Sequence, residues 1–359
     1  LSLSYLPCFL LPLFSLLSLL FLFLTLSIPL SQAMLRVHHS HFSFITITIT
    51  ITIAIAIISF SFSFLLHGLE AATDPTDVSV LKDLLAHLSS DPSNLSQQWS
   101  GTDPCGDGAG AGAGDGDGDG DGGGGGGTEE VPPWPYIQCT GNHVTQLQLK
   151  GLGLTGTLPP SLNSLSSLQH IALQGNSFHG PLPTFSGLSS LISAYLGDQH
   201  FTSIPADFFH GLTSLTTLSL ENNPLSGPGP GSGWNFPEHD IASLGSLTTL
   251  ILTNTSLTGP IPGSLGSLTS LVELRLAYNS LSGPIPGSFR SLSRLSRLEL
   301  NNQAGSPLYG PIDAVASMPS LKTLWLHVNA FSGRIPPGLG TSAISLSDCR
   351  LNDNRLVGP

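Results

Sequence analysis

From Val144 to the last residue the apolar positions fall into one recurring phrase. Leu271-Val-Glu-Leu274-Arg-Leu276-Ala-Tyr-Asn279-Ser-Leu281-Ser-Gly283-Pro-Ile285-Pro286 returns, with variations, about every 24 residues. In its Leu-x-x-Leu-x-Leu part, alternate leucines leave a short strand on one side and the residues between them leave on the other. One side builds an interior and the other stays free. Starting each unit at its first leucine gives Leu168, Leu191, Leu215, Leu247, Leu271, Leu295, Leu321 and Leu346, after an opening strand at Leu147-Gln-Leu149.

The turn after the strand carries an amide in most units, at Asn176, Gln199, Asn223, Asn279, Gln303, Asn329 and Asn354. A buried amide can pair the main-chain groups that the bend leaves free. Gly156, Gly180, Gly259, Gly283, Gly310 and Gly333 then permit a sharp turn, and Leu158-Pro159, Ile261-Pro262, Ile285-Pro286 and Ile335-Pro336 favour an extended segment. The pattern predicts an α/β solenoid of leucine-rich repeats, about nine, the last one truncated, with short parallel strands on the concave face. The Gly-x-Ile-Pro signature resembles the plant-specific class of such repeats. Two units break the period: Gly227-Pro-Gly-Pro-Gly-Ser-Gly233 reads as a loop bulging from the convex or lateral edge, and Ala304-Gly-Ser-Pro307 lengthens the unit that starts at Leu295.

A terminal repeat exposes apolar core unless a cap covers it. The stretch Thr76 to Ser90, with Leu81, Leu84, Leu85 and Leu88 at helical spacing behind an Asp77 cap, predicts a helix. Cys105 and Cys139 are placed to staple this cap over the first repeat as a disulfide. Cys349 takes a strand position otherwise held by leucine, which predicts a small buried hydrophobe. Between the paired cysteines, the Gly, Ala and Asp run that starts at Gly106 and continues to Pro133 has no means of building a core and reads as a disordered insertion. Asp117, Asp119 and Asp121 imitate a calcium loop, but position twelve is Thr128 where a bidentate Glu is needed, so no metal is expected.

The domains read as residues 1–33, upstream sequence outside the native product; 34–72, a signal peptide opening at Met34 or an anchor at Phe42 to Leu66; 73–143, the cap with its insertion at 106–133; and 144–359, the solenoid, open at its C-terminal end. Charged residues make up only 9%, the formal net charge is −12, and Asn94-Leu-Ser96 and Asn254-Thr-Ser256 are glycosylation acceptors. Nucleic acid is not an expected partner for so acidic a chain. Localisation reads as the secretory pathway, ending at the cell surface, outside the plasma membrane or in the apoplast.

Trp99-Ser-Gly-Thr-Asp-Pro-Cys105, Trp134-Pro-Tyr-Ile-Gln-Cys139, Ser203-Ile-Pro-Ala-Asp-Phe-Phe-His-Gly-Leu-Thr-Ser-Leu215 and Leu321-Lys-Thr-Leu-Trp325-Leu-His327 carry a resemblance to the ectodomain of plant receptor-like kinases of the TMK (transmembrane kinase) type. It covers Thr73 to Pro359. The resemblance implies a membrane-associated receptor with a cytoplasmic Ser/Thr kinase, auxin-type signalling at the cell surface, and a leucine-rich-repeat co-receptor as a further partner. Val-Ala-Ile-Lys, His-Arg-Asp and Asp-Phe-Gly do not occur here, so the chain is not expected to be an enzyme. There is no His-Glu-x-x-His pair or zinc-like cysteine cluster, and no cofactor is expected.

The outward position between the strand leucines forms a column: Gln148, Ala172, Tyr195, Ser219, Ile251, Arg275, Glu299, Trp325 and Arg350. Arg297, Lys322 and His327 adjoin it. Of the 11 Lys and Arg residues, eight (Arg275, Arg290, Arg294, Arg297, Lys322, Arg334, Arg350, Arg355) follow residue 270, against five acids. An outward Trp beside Arg and His on a rigid strand has the composition of a binding hot spot. The expected ligand site is therefore Tyr195, Arg275, Arg297, Glu299, Lys322, Trp325, His327 and Arg350; the competing reading pairs Arg275, Arg297 and Glu299 across strands and has Trp325 cover an edge. The leading function is a receptor ectodomain for an extracellular protein, peptide or small-hormone complex. The alternatives are a secreted repeat protein that inhibits wall-degrading enzymes or binds an acidic polysaccharide, and a truncated gene fragment.

Overall fold

The computed structural model describes residues 72–106, 133–226, 233–305, 307–340 and 346–358. The expectations for residues 1–71, for most of the insertion at 106–133 and for the tip of the Gly/Pro loop lie outside the described residues.

A ten-stranded sheet runs the length of the repeats. It opens with an antiparallel pair, Ile137–Thr140 and His143–Gln148. His170–Ala172, Ser193–Tyr195, Thr217–Ser219, Thr249–Ile251, Glu273–Arg275, Arg297–Glu299, Thr323–Trp325 and Asp348–Arg350 then follow in chain order. Every later pair is parallel, because each coil makes one circuit and returns one strand further on. The inward leucines line up across these strands: Leu218, Leu250, Leu274, Leu298 and Leu324 are in register and fully buried. Each such side chain contributes about 1.5–3 kcal/mol by leaving water.

Cys349 continues that row beside Leu324, yet it is exposed. The expectation of a buried cysteine is thereby corrected. Among the described residues no further coil packs over Asp348–Arg350 to cover it, although its partial burial and the neighbouring Asp348 carboxylate raise the thiol's pKa.

The turn amides tie coil to coil, buried at Asn176, Gln199, Asn223, Asn279 and Gln303 and half-buried at Asn329 and Asn354. Asn279 Nδ2 donates to Leu252 O (2.7 Å) and Leu276 O (3.0 Å), while its Oδ1 accepts from the N–H groups of Thr255 and Leu257. Asn176, Gln199, Asn223, Gln303, Asn329 and Asn354 repeat the arrangement. In the coil without an amide, buried Thr255 substitutes a hydroxyl that donates to Leu252 O. Short outer strands, Thr258–Pro260, Ser280–Ser282 and Ala330–Arg334, lead into the Ile-Pro segments, and 3-10 turns such as Gly263–Ser267 and Gly287–Ser291 follow them.

The cap helix spans Pro75–Ala86. Its N-cap is Asp74, which accepts from Thr76 N–H, and not Asp77 as the sequence suggested. Pro75 takes the first helical position, where a missing N–H costs nothing, and this moves Asp77 into the first turn. There its buried carboxylate accepts from Val144 N–H and binds the cap to the first repeat strand. Leu81 and Leu84 are buried as expected, while Leu88 has left the helix for a strand that pairs with Thr155–Gly156. A Cβ on Gly156 would lie 2.3 Å from His87 O, so only glycine lets this strand approach. The predicted disulfide joins Cys105 and Cys139, and the stacked rings of Trp99 and Trp134, 5.4 Å apart, close the cap behind it.

Candidate functional site

The outward column survives intact in the register: Gln148, Ala172, Tyr195, Ser219, Ile251, Arg275, Glu299, Trp325 and Arg350 are paired strand by strand. Its first half is small and neutral, with the half-exposed Tyr195 ring standing above buried Ala172 and Ser219. His170 shares a 2.8 Å hydrogen bond with Ser193 Oγ in the adjoining row.

The second half carries charge in two groups. Glu273 and Arg275 share one strand, and directly opposite them stand Arg297 and Glu299. Glu273 Oε1 lies 2.6 Å from Arg275 Nε and 3.4 Å from Arg297 Nε; Glu299 Oε1 lies 2.8 Å from Arg297 Nη1 and 3.8 Å from Arg275 Nε. Each cation faces two anions and each anion two cations. Glu299 is the buried member, its side chain 7% exposed against 35% and 36% for the arginines. A carboxylate so placed is tolerable only between opposite charges.

One coil further on, Trp325 donates from Nε1 to Asp348 Oδ2 at 2.8 Å. The guanidinium of Arg350 lies 4.2 Å above the indole ring and its Nε is 3.3 Å from Asp348 Oδ1. Arg350 thus stacks on an aromatic face while an acid holds both groups. Trp325 is half-buried: neither sealed inside nor standing free. His327 meets its edge, with ring centres 6.3 Å apart. Burial lowers the His327 pKa below the usual imidazole value, and Arg350 lowers it further, against weaker opposing effects of Asp353 and Asp348.

The competing sequence reading, cross-strand pairing of Arg275, Arg297 and Glu299, is what the geometry has. Sequence reasoning missed the acids that complete both groups, Glu273 and Asp348. The signal was there in Glu273-Leu-Arg275, Arg297-Leu-Glu299 and Asp348-Cys-Arg350, where opposite charges flank one inward residue. Among the described residues, Lys322 is exposed and has no acid partner. Arg290, Arg294, Arg334 and Arg355 are also exposed, but they lie off this sheet on the outer sides of the coils. The positive surplus of the late half therefore sits mainly outside the concave face, and a polyanion would meet it there.

Asn94 and Asn254 are exposed in left-handed backbone at φ 54° and 55°. Asn254 Nδ2 donates to Asn222 Oδ1, leaving its second amide hydrogen for a modifying group. Asp74, Asp77 and His143 approach one another closely enough to hold a cation. Both carboxylates, however, are already engaged in capping main-chain N–H groups. Among the described residues no helix is long and apolar enough to cross a membrane.

A family model described as Leucine rich repeat matches residues 245–303, and another, Leucine Rich Repeat, matches 214–236. The Arabidopsis thaliana receptor-like kinase TMK2 is 34% identical over 82% of this chain and 29% of its own length. For TMK4 of the same plant the figures are 39%, 64% and 24%. The chain thus spans less than a third of the length of these relatives. The Arabidopsis receptor kinase HAESA, solved with the peptide hormone IDA and the co-receptor SERK1, superposes with a TM-score of 0.61 at 28% identity, covering 78% of this chain and 42% of that one.

Proposed function

From the premise that this is a plant leucine-rich-repeat chain homologous to the TMK-type receptor-like kinases, with the fold of a receptor-kinase ectodomain, we propose that it is the ligand-recognising module of a cell-surface receptor. Its ligand is an extracellular peptide or a small-hormone complex taken on the concave face, and a second leucine-rich-repeat ectodomain joins it there as co-receptor. Auxin-type signalling enters through the TMK relationship. The peptide arm draws on the ligand of the HAESA structure. The kinase of the relatives lies outside this chain, which acts by binding.

One observation carries this reading: Trp325 presents part of its indole on a rigid strand, held by a hydrogen bond to Asp348 and covered by the Arg350 guanidinium, with Lys322, exposed and without an acid partner among the described residues, just before that strand. A pre-held aromatic next to cations loses little entropy on binding and offers both apolar area and charge. The self-neutralised square of Glu273, Arg275, Arg297 and Glu299 next to it supplies directional groups that discriminate among ligands more than they attract them.

The test is direct binding of the folded chain to immobilised synthetic extracellular peptides, with indole-3-acetic acid as a separate arm. Saturable binding in either arm that competes with chemical modification of Trp325 supports the reading. Binding in neither arm overturns it.

A further inference from the structure

A four-stranded sheet separate from the concave one contains Ser177–Pro181 and His200–Ser203 as parallel neighbours. His179 pairs directly with His200 in this register. Phe178 and Phe201, next to them in sequence, are fully buried, so by alternation both imidazoles leave on the solvent side, where both residues are exposed. The two Cα atoms stand one strand spacing apart, about 4.8 Å.

Among the described residues neither ring has a hydrogen bond, an ion pair or a ring contact. His170 and His210, by contrast, are engaged by Ser193 and Asp240. From Gly151 to Val272 the chain has no Lys or Arg, against five acids, Asp198, Asp207, Glu221, Glu238 and Asp240. A dication therefore approaches these coils through a favourable field.

We propose that His179 and His200 form a two-imidazole site for a divalent transition-metal ion of the Zn2+ and Cu2+ class. Imidazole nitrogen suits such ions and binds Zn2+ at about 2.0–2.1 Å, so the two nitrogens must converge to roughly 3 Å. The rings can do so because exposed side chains turn between rotamers without disturbing the core. Paired backbone fixes the spacing of the two residues, so once one imidazole has bound, the second bond is intramolecular. The remaining coordination positions stay open to water. Ca2+ and Mg2+, which take oxygen ligands, have no donors here to prefer. Bound metal would tie two coils together on a sheet distinct from the concave face, independently of the ligand reading above.

Imidazole resonances of the full chain, labelled at histidine and assigned through His179→Ala and His200→Ala, report the site residue by residue, so metal held by other histidines does not obscure it. Zn2+ should shift the His179 and His200 resonances together and saturably, and Ca2+ should shift neither. In His200→Ala the dissociation constant read at His179 should rise at least about tenfold, the equivalent of roughly 1.4 kcal/mol, and His179→Ala should do the same to His200. Both side chains are exposed, so the metal-free melting temperature of each variant should match wild type. A smaller rise in either variant would mean two independent single contacts and would overturn the proposal, as would the absence of a saturable Zn2+ shift at either ring.

Discussion

Asn279 Oδ1 accepts hydrogen bonds from the main-chain N–H groups of both Thr255 and Leu257, 3.0 and 2.9 Å away in the preceding coil. One side chain thus holds two coils in register, with its Nδ2 closing the bend on the other side. Asn279→Ala strands several buried main-chain groups at about 1–3 kcal/mol each. We expect a loss of at least about 3 kcal/mol in urea unfolding. A loss below about 1 kcal/mol would mean that the bend satisfies itself.

Glu299 is buried between two half-exposed arginines. Glu299→Ala leaves Arg275 and Arg297 facing each other with only Glu273 between them. The expected loss is about 1–3 kcal/mol, below that of a fully buried pair because water screens the guanidiniums. The difference from wild type should shrink in 1 M salt, measured by thermal unfolding at both ionic strengths.

The pH dependence of His327 has a definite sign. Burial and Arg350 depress its folded pKa below 6.5, so the unfolded chain binds a proton that the folded chain refuses. Its contribution is therefore fully present above about pH 6.5 and falls as pH drops below that value. The groups facing it are Arg350, Asp353, Asp348 and the neutral Asn302. His327→Gln should lose less melting temperature between pH 7.5 and 5.5 than wild type does; identical slopes would contradict the assignment.

The cap depends on its disulfide. Reducing Cys105–Cys139, separated by 34 residues, should cost about 3–4 kcal/mol if loop entropy dominates. Thermal unfolding with and without reductant measures it. The Trp99 and Trp134 stack should lose its near-ultraviolet dichroism in the same step.

Asn94 and Asn254 should both carry glycans when the chain is secreted from plant cells. Asn94→Gln and Asn254→Gln would then each raise electrophoretic mobility by one step, and the double variant would match the enzymatically deglycosylated chain. Unchanged mobility of either single variant removes that site.

The fold was legible because a 24-residue period leaves little freedom: the spacing of Leu274, Leu298 and Leu324 fixed strand, register and interior together. The concave column was legible for the same reason. Cys349 was not, because its burial depends on a neighbouring coil and not on its own strand. Nor was the Asp74 cap, since Asp74 and Asp77 both suit a helix start and only the contact of Asp77 with Val144 separates them. Charge was misread for a related reason. Glu273 and Asp348 entered the sequence reading only in the count of late acids, and their pairing with Arg275 and Arg297, and with Arg350, appears only once the strands are placed in register.

The central claim is that the concave face around Trp325 takes the ligand. The measurement is the dissociation constant of a peptide selected on the wild-type chain, determined again for Trp325→Ala with folding verified by thermal unfolding. A central aromatic anchor predicts at least about a 30-fold loss, equivalent to roughly 2 kcal/mol. An unchanged constant in a folded variant would contradict the account and place recognition elsewhere on the solenoid.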